Sequence, residues 1–213
     1  MRRISSGSEQ NTVTNINIFL SFQGASINSK TKIQKPVISV VTAVYNSAGY
    51  LEEFLSKCTE ALQATDCSDH EVIFVNDGSP DNSLEKLFEL KKSYPKTVII
   101  DLSRNFGHHY ALFAGISAAK GDYVFLIDCD LETSPGVLPG FLAEIQKTGD
   151  DVVYGFQEQR KGGLFEKVSG NLFWKIFNML SETKVSKNIL TERILSRKYV
   201  DSLLEMGDKN LFL

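Results

Sequence analysis

Tyr123-Val124-Phe125-Leu126-Ile127-Asp128-Cys129-Asp130-Leu131-Glu132 sets a run of apolar and aromatic residues directly before two carboxylates separated by one residue, with a third acid following. Read as a strand buried in a sheet, 123–127 delivers all three acids just past its C-terminal end. That is where open α/β sheets bind ligands. Carboxylates gathered there suit a hard divalent cation that carries phosphates. A polar turn with a capping acid is the plainer reading of the same residues, and the neighbouring stretches decide between the two.

Upstream, Val37 to Val44 is β-rich and nearly continuous in apolar character, as expected of a strand covered on both faces. Tyr45-Asn46-Ser47-Ala48-Gly49 reads as a turn. A helix follows, with Leu51, Phe54, Leu55, Cys58, Ala61 and Leu62 on one stripe. Glu71 to Val75 is a second strand that ends in the turn residues Asn76-Asp77-Gly78-Ser79-Pro80. Asn82 with Glu85 resembles a capping pair for a helix bearing Leu84, Leu87 and Phe88. Thr97 to Leu102 is the third strand, and Tyr110 to Ala119 a small-residue-rich helix. After the opening stretch, Val137, Leu138, Phe141, Leu142 and Ile145 mark a fourth helix and Asp151 to Gly155 a short strand. Strands alternating with helices predict an α/β fold with a mostly parallel sheet flanked by helices, because parallel pairs need long crossovers. A longer helix is expected over 164–180, apolar on more than one face. Burial in the core is the favoured reading, and contact with lipid or a lipid-linked acceptor the sharper one. A last strand over 191–196 and a helix over 199–206 complete the pattern.

At 213 residues the chain holds one sizeable core. Residues 1–35, rich in Ser, Asn, Gln and Thr, read as a flexible N-terminal extension before a domain over 36–213. With 42% hydrophobic and 23% charged residues, wholesale disorder is excluded. The formal net charge of −3 argues against nucleic acid as a partner. Three scattered cysteines fit a reduced, cytoplasmic protein. No uncharged apolar run reaches the roughly 18 residues that a membrane-spanning helix requires.

Three loops fall at C-terminal strand ends: Tyr45-Asn46, Asn76 to Ser79, and Asp128 to Asp130. In a doubly wound sheet they converge on one crevice. There Tyr45 could stack on a base, Asn76 or Asp77 accept from its edge, and Gly78 allow close backbone approach. No glycine-rich phosphate loop follows the first strand. An Mg²⁺ or Mn²⁺ on Asp128, Asp130 and Glu132 is therefore the economical way to hold a diphosphate. Arg104 and Arg160 could add charge-assisted contacts. His108 and His109, adjacent and pointing apart, are read as capping or packing residues in preference to ligand contacts.

Val37 to Asn46, Val75 to Ser79, Ser103-Arg104-Asn105-Phe106-Gly107 and Asp128 to Glu132 together resemble family 2 glycosyltransferases of the GT-A fold. The nearest likeness is to the dolichol-phosphate-mannose synthase and polyprenyl-phosphate glycosyltransferase group. The resemblance covers about Pro36 to Met206. It implies a UDP- or GDP-linked sugar donor, a divalent metal, and inversion at the anomeric carbon. The acceptor would be a polyprenyl phosphate or a growing cell-surface polysaccharide, met at the cytoplasmic face of the membrane. Asp128 and Asp130 correspond to the Asp-x-Asp motif, and Glu132 stands where the family often has a metal-binding Gln. Ala43, Tyr45, Asn46, Asn76, Asp77, Arg104 and Cys129 fall in the nucleotide-sugar loops. Asp130 and Arg160 are the candidate catalytic residues, Lys167 and Ser169 the candidate acceptor contacts, and Arg193 to Arg197 resembles a structural Arg-rich segment. The departures are Ala43 for a usual Pro, Ser47 for a frequent Glu, Asn76 for the first acid of Asp-Asp-Gly-Ser, and Gln157 for an Arg. The C-terminal transmembrane helices of many relatives are missing from the sequence, so a truncated product with an incomplete acceptor side is expected. A nucleotide-sugar-binding module without turnover is the alternative. A nucleotidyltransferase would want a charged, Gly-rich loop after the first strand, which Tyr45 to Gly49 does not supply.

Overall fold

The computed structural model describes residues 16–19, 35–157 and 189–206. Contacts divide the chain into two units, and the description below concerns the larger, Ile18–Gly155 with Leu190–Leu213. The expected helix over 164–180, and Arg160, Lys167 and Ser169, lie outside the described residues.

The strands are β1 (Ile16–Phe19), β2 (Val37–Val44), β3 (Asp69–Asn76), β4 (Thr97–Asp101), β5 (Tyr123–Leu126), β6 (Val152–Gln157) and β7 (Ile189–Ser196). The helices are α1 (Leu51–Gln63), α2 (Ser83–Ser93), α3 (His108–Ala118), α4 (Leu138–Thr148) and α5 (Arg197–Met206). The strands form one sheet in the order β1-β6-β7-β5-β2-β3-β4. β2, β3, β4 and β5 run parallel, as the crossovers require. β7 runs antiparallel to β5, so the sheet is mixed.

Side chains alternate between the two faces with the period of a strand. Ile38, Val40, Phe74 and Phe125 meet α1, α2 and α4 on one side, where Phe125 and Phe141 stack edge-on at 5.3 Å. Val41, Ile73, Val75 and Leu126 meet α3 and α5 on the other. α1 buries the stripe its spacing predicts. On α2 the stripe is narrower, because Phe88 is 54% exposed. Asn82 makes no side-chain cap; Asp81 instead accepts the first α2 amide, Ser83 N–H, at 3.1 Å. α3 begins at His108, two residues earlier than the sequence pattern suggests. Gly115 lets it lie close on β2, where a Cβ would come within 2.4 Å of Val41 Cγ1.

The register levels the strand ends. Val44 pairs with Asn76 and Asn76 with Asp101. Every parallel strand therefore releases its loop at the same edge, and β7, running the other way, begins there.

Candidate active site

Asp128 leaves β5 just after Ile127, whose N–H makes a ladder-like bond to Val41 O at 3.2 Å. Asp130 then closes a local turn by accepting Glu132 N–H on Oδ1 at 3.0 Å. Between them Leu131 has φ +64, uncommon for a bulky residue. Its side chain packs against the core, which holds the strained backbone. Cys129 points inward: its thiol donates to Ala43 O at 3.4 Å, and burial pushes its pKa up, so it ties the acid loop to β2 as a neutral thiol.

Asp128 is clamped from both sides. Thr191 of β7 donates its hydroxyl to Oδ2 at 2.9 Å, and His108 Nε2 at the start of α3 lies 3.5 Å from Oδ1. Of the two histidines weighed in the sequence, His108 faces the acids. His109 stacks edge-on against it at 5.7 Å, and burial, with the His108 and Arg193 charges, lowers the His109 pKa.

The cleft beside these acids encloses about 500 Å³, within the range of small-molecule sites. Ala43, Tyr45, Asp77, Asp128, Cys129 and Asp130 line it, and so do Ser47, Asn105, Gly107 and His108. Asp77 is 3% exposed and spends its carboxylate on the loop after β4, Oδ1 accepting Phe106 N–H at 2.7 Å and Oδ2 accepting Gly107 N–H at 3.0 Å. Gly78, at φ +63, sits where a Cβ would come within 2.5 Å of Arg104 C and Asn105 N. The close approach expected of Gly78 is thus to that loop's backbone.

Several expected residues do not line the cleft. Asn76 is buried, donates to Asp101 Oδ1 at 2.8 Å and accepts from Ser79 N–H at 3.3 Å, so its amide is occupied by the scaffold. Asn46 is exposed and turns the chain at φ +53. The Arg104 guanidinium lies 4.0 Å from the centre of the Phe106 ring and donates to Asn105 O. Glu132 is exposed, and its amide, through Asp130, closes the turn. Among the described residues no three His, Cys, Asp or Glu side chains are grouped to hold a metal, so Asp128, Asp130 and Glu132 are not gathered as the expected triad; Asp128 and Asp130 line the cleft and Glu132 does not. Two carboxylates still fit Mg²⁺ or Mn²⁺. Mg²⁺ in particular is commonly held by one or two carboxylates together with substrate phosphates and water.

A mostly parallel sheet with an acid pair past a central strand, facing a cleft between strand-end loops, is the GT-A arrangement. A mannosyltransferase from Pyrobaculum calidifontis, solved with GDP-mannose and Mn²⁺, shares this fold with a TM-score of 0.54 at 16% identity, over 80% of this chain and 47% of that one. The profile of glycosyl transferase family 2 matches residues 39–204, and the chain belongs to that family. A putative glycosyltransferase of Mycobacterium tuberculosis is 38% identical over 82% of this chain. A bactoprenol glucosyl transferase of Shigella phage SfV is 31% identical over 83%. The chain spans about half the length of these relatives, 51% and 57%. Among the described residues no helix is long and apolar enough to cross a membrane.

Thr191, Ser79, Asp81 and Ser83 bond to residues of the cleft loops, and sequence alone assigned none of them a role of its own, placing Ser79 only within the loop that follows β3. The Ser-x-Asp-x-Ser spacing of the last three is itself a signal of side chains bonding local backbone.

Proposed function

We propose that this chain binds a nucleotide-diphosphate sugar in the cleft and transfers the sugar to a polyprenyl-phosphate acceptor with inversion. The observation that carries this reading is that Asp128 and Asp130 line one cleft together with Tyr45, Asp77 and, from the Asp77-anchored loop, Asn105 and Gly107. Tyr45, 48% exposed, offers a ring face on which a base can stack. Asp128 and Asp130 would hold Mg²⁺ or Mn²⁺, which supplies charge neutralisation for the departing diphosphate. Thr191 and His108 orient Asp128 for that task.

An oxygen of the acceptor phosphate attacks the anomeric carbon from the side opposite the diphosphate. One C–O bond forms as the other breaks, and the electron pair leaves on the nucleoside diphosphate. The acceptor is already anionic, so the step needs no general base. The bactoprenol glucosyl transferase relative supports a lipid-phosphate acceptor, and the mannosyltransferase neighbour supports the nucleotide-sugar and Mn²⁺. Such an acceptor would put the reaction at a membrane surface, which we propose is the cytoplasmic face.

A thermal-shift panel of UDP- and GDP-sugars with Mn²⁺ tests the donor reading, because a ligand bound to the native state alone raises its melting temperature. A metal-dependent rise with one nucleotide class is expected. No rise with any donor would sink the reading. Transfer is then read as radiolabelled sugar appearing in an organic-phase polyprenyl phosphate.

A further inference from the structure

At the first wall of the cleft, three consecutive backbone amides are each held by a side chain from the loop that follows β3 or from the first residue of α2. Asn46 N–H donates to Ser79 Oγ at 2.7 Å, Ser47 N–H to Ser83 Oγ at 3.2 Å, and Ala48 N–H to Asp81 Oδ2 at 3.1 Å. Asp81 organises the loop that holds them: its Oδ1 accepts from Ser79 Oγ at 2.7 Å and from Ser83 N–H at 3.1 Å. Ser79 and Ser83 are themselves 3.5 Å apart, Oγ to Oγ. The segment held in this way is not relaxed. Asn46 sits at φ +53, a conformation Asn tolerates but does not prefer. Tyr45 precedes it directly, and Tyr45 O accepts the Ser47 hydroxyl at 3.0 Å. Burial acts to raise the Asp81 pKa, but the Ser83 and Ser79 hydroxyls and the Ala48 and Ser83 amides outweigh it and draw the value down to about 2. The carboxylate is therefore ionised, and its hydrogen bonds are the stronger charge-assisted kind.

An N-terminal cap on α2 would need only the bond to Ser83 N–H. Of the other two Asp81 contacts, the bond from Ala48 N–H crosses to the Tyr45 loop and the bond from Ser79 Oγ holds the hydroxyl that receives Asn46 N–H, and a cap explains neither. We propose that Asp81 is a positioning residue for nucleotide binding. Through Ser79 and Ser83 it fixes the Asn46–Ala48 backbone, and with it the Tyr45 and Ser47 side chains that line the cleft. The inference rests on the donor reading above and adds the residue that sets the geometry of its first wall.

The test measures UDP and GDP binding by calorimetry, with Mn²⁺, on the full chain and on Asp81→Ala, Asp81→Asn and Ser79→Ala. For the nucleotide the wild type prefers, Asp81→Ala is expected to weaken binding about tenfold. Asp81→Asn, which keeps one acceptor oxygen, should weaken it less. Tyr45→Ala combined with Asp81→Ala should cost little beyond Tyr45→Ala alone, because both act through one loop. In hydrogen exchange without nucleotide, the amides of Asn46, Ser47 and Ala48 should exchange faster in Asp81→Ala while those of β2 and β3 stay protected. Equal affinity in wild type and Asp81→Ala, additive effects with Tyr45→Ala, or unchanged exchange at 46–48 each overturns the inference and leaves the donor reading standing. Wild-type protein that binds neither nucleotide overturns both. If Asp81→Ala does not fold, Ser79→Ala, which removes only the hydroxyl that receives Asn46 N–H, carries the same expectations at 46.

Discussion

Thr191 and Asp128 stand 63 residues apart and meet at 2.9 Å, hydroxyl to carboxylate, because β7 runs antiparallel to β5 and starts where β5 ends. This bond selects the orientation of the first acid of the pair. Thr191→Val removes it with little change in shape. The expected result is a loss of about two- to tenfold in Mn²⁺-dependent donor affinity, the worth of one hydrogen bond to a charged group at a partly solvated site. Calorimetry measures it, and a melting temperature within a few degrees of wild type would show that the fold is kept.

With Asp128 and Asp130 as the proposed metal ligands, Glu132 is set apart from its neighbours. Asp130→Ala should abolish the Mn²⁺-dependent part of donor binding while the protein still unfolds cooperatively. Glu132→Gln should leave donor affinity within about twofold of wild type, as is usual for a surface substitution away from the site. Equal losses in both variants would restore Glu132 to the metal set.

Gly78 and Gly107 both have positive φ, +63 and +99, but only Gly78 is also crowded. Gly78→Ala adds a Cβ against the Arg104–Asn105 backbone as well as backbone strain. It should cost about 1–3 kcal/mol. Gly107→Ala meets open space and carries the strain alone, so the smaller shift is expected there. Urea midpoints at constant m-value report both. Only Gly78→Ala should also displace the loop that carries Asn105, seen as weaker nucleotide binding.

Asp81 gives a pH signature. Its pKa is about 2 in the native protein, against about 3.9 for a free Asp side chain, so the folded state binds its proton more weakly than the unfolded chain does. The stabilisation is therefore fully present above pH ~4 and is lost as pH falls towards ~2. Asp81→Asn lacks this dependence. The stability difference between wild type and Asp81→Asn should be level from pH 7 down to about 5 and shrink below that. A difference that grows on acidification would contradict the assignment.

Much of the fold was legible because its signals are local. The apolar runs at 37–44 and 123–127 and the stripe Leu51, Phe54, Leu55, Cys58, Ala61 and Leu62 follow from period and burial, and the structure places them so. The acid pair was legible as well, since two carboxylates after a buried strand need no long-range information. The direction of β7 was not, because 191–196 reads the same for either pairing. The role of His108 turned on where α3 begins, and helix starts are weakly marked when, as at Gly107, no side chain caps them. Asn76 and Asp77 looked alike as polar residues at a strand end. Only their partners, Asp101 for one and the Phe106 and Gly107 amides for the other, separate scaffold from cleft wall.

The cleft loops are tied one to the next: Asp81 and its serines join the loop after β2 to the loop after β3, and Asp77 joins that one to the loop after β4. A ligand arriving at this rim meets walls already ordered, so the conformational entropy of arranging them is spent in folding and is not subtracted from binding. Association with the nucleotide end of a donor should then proceed at a rate set by encounter, in a single kinetic phase, with no slow step for loop closure on that side of the cleft.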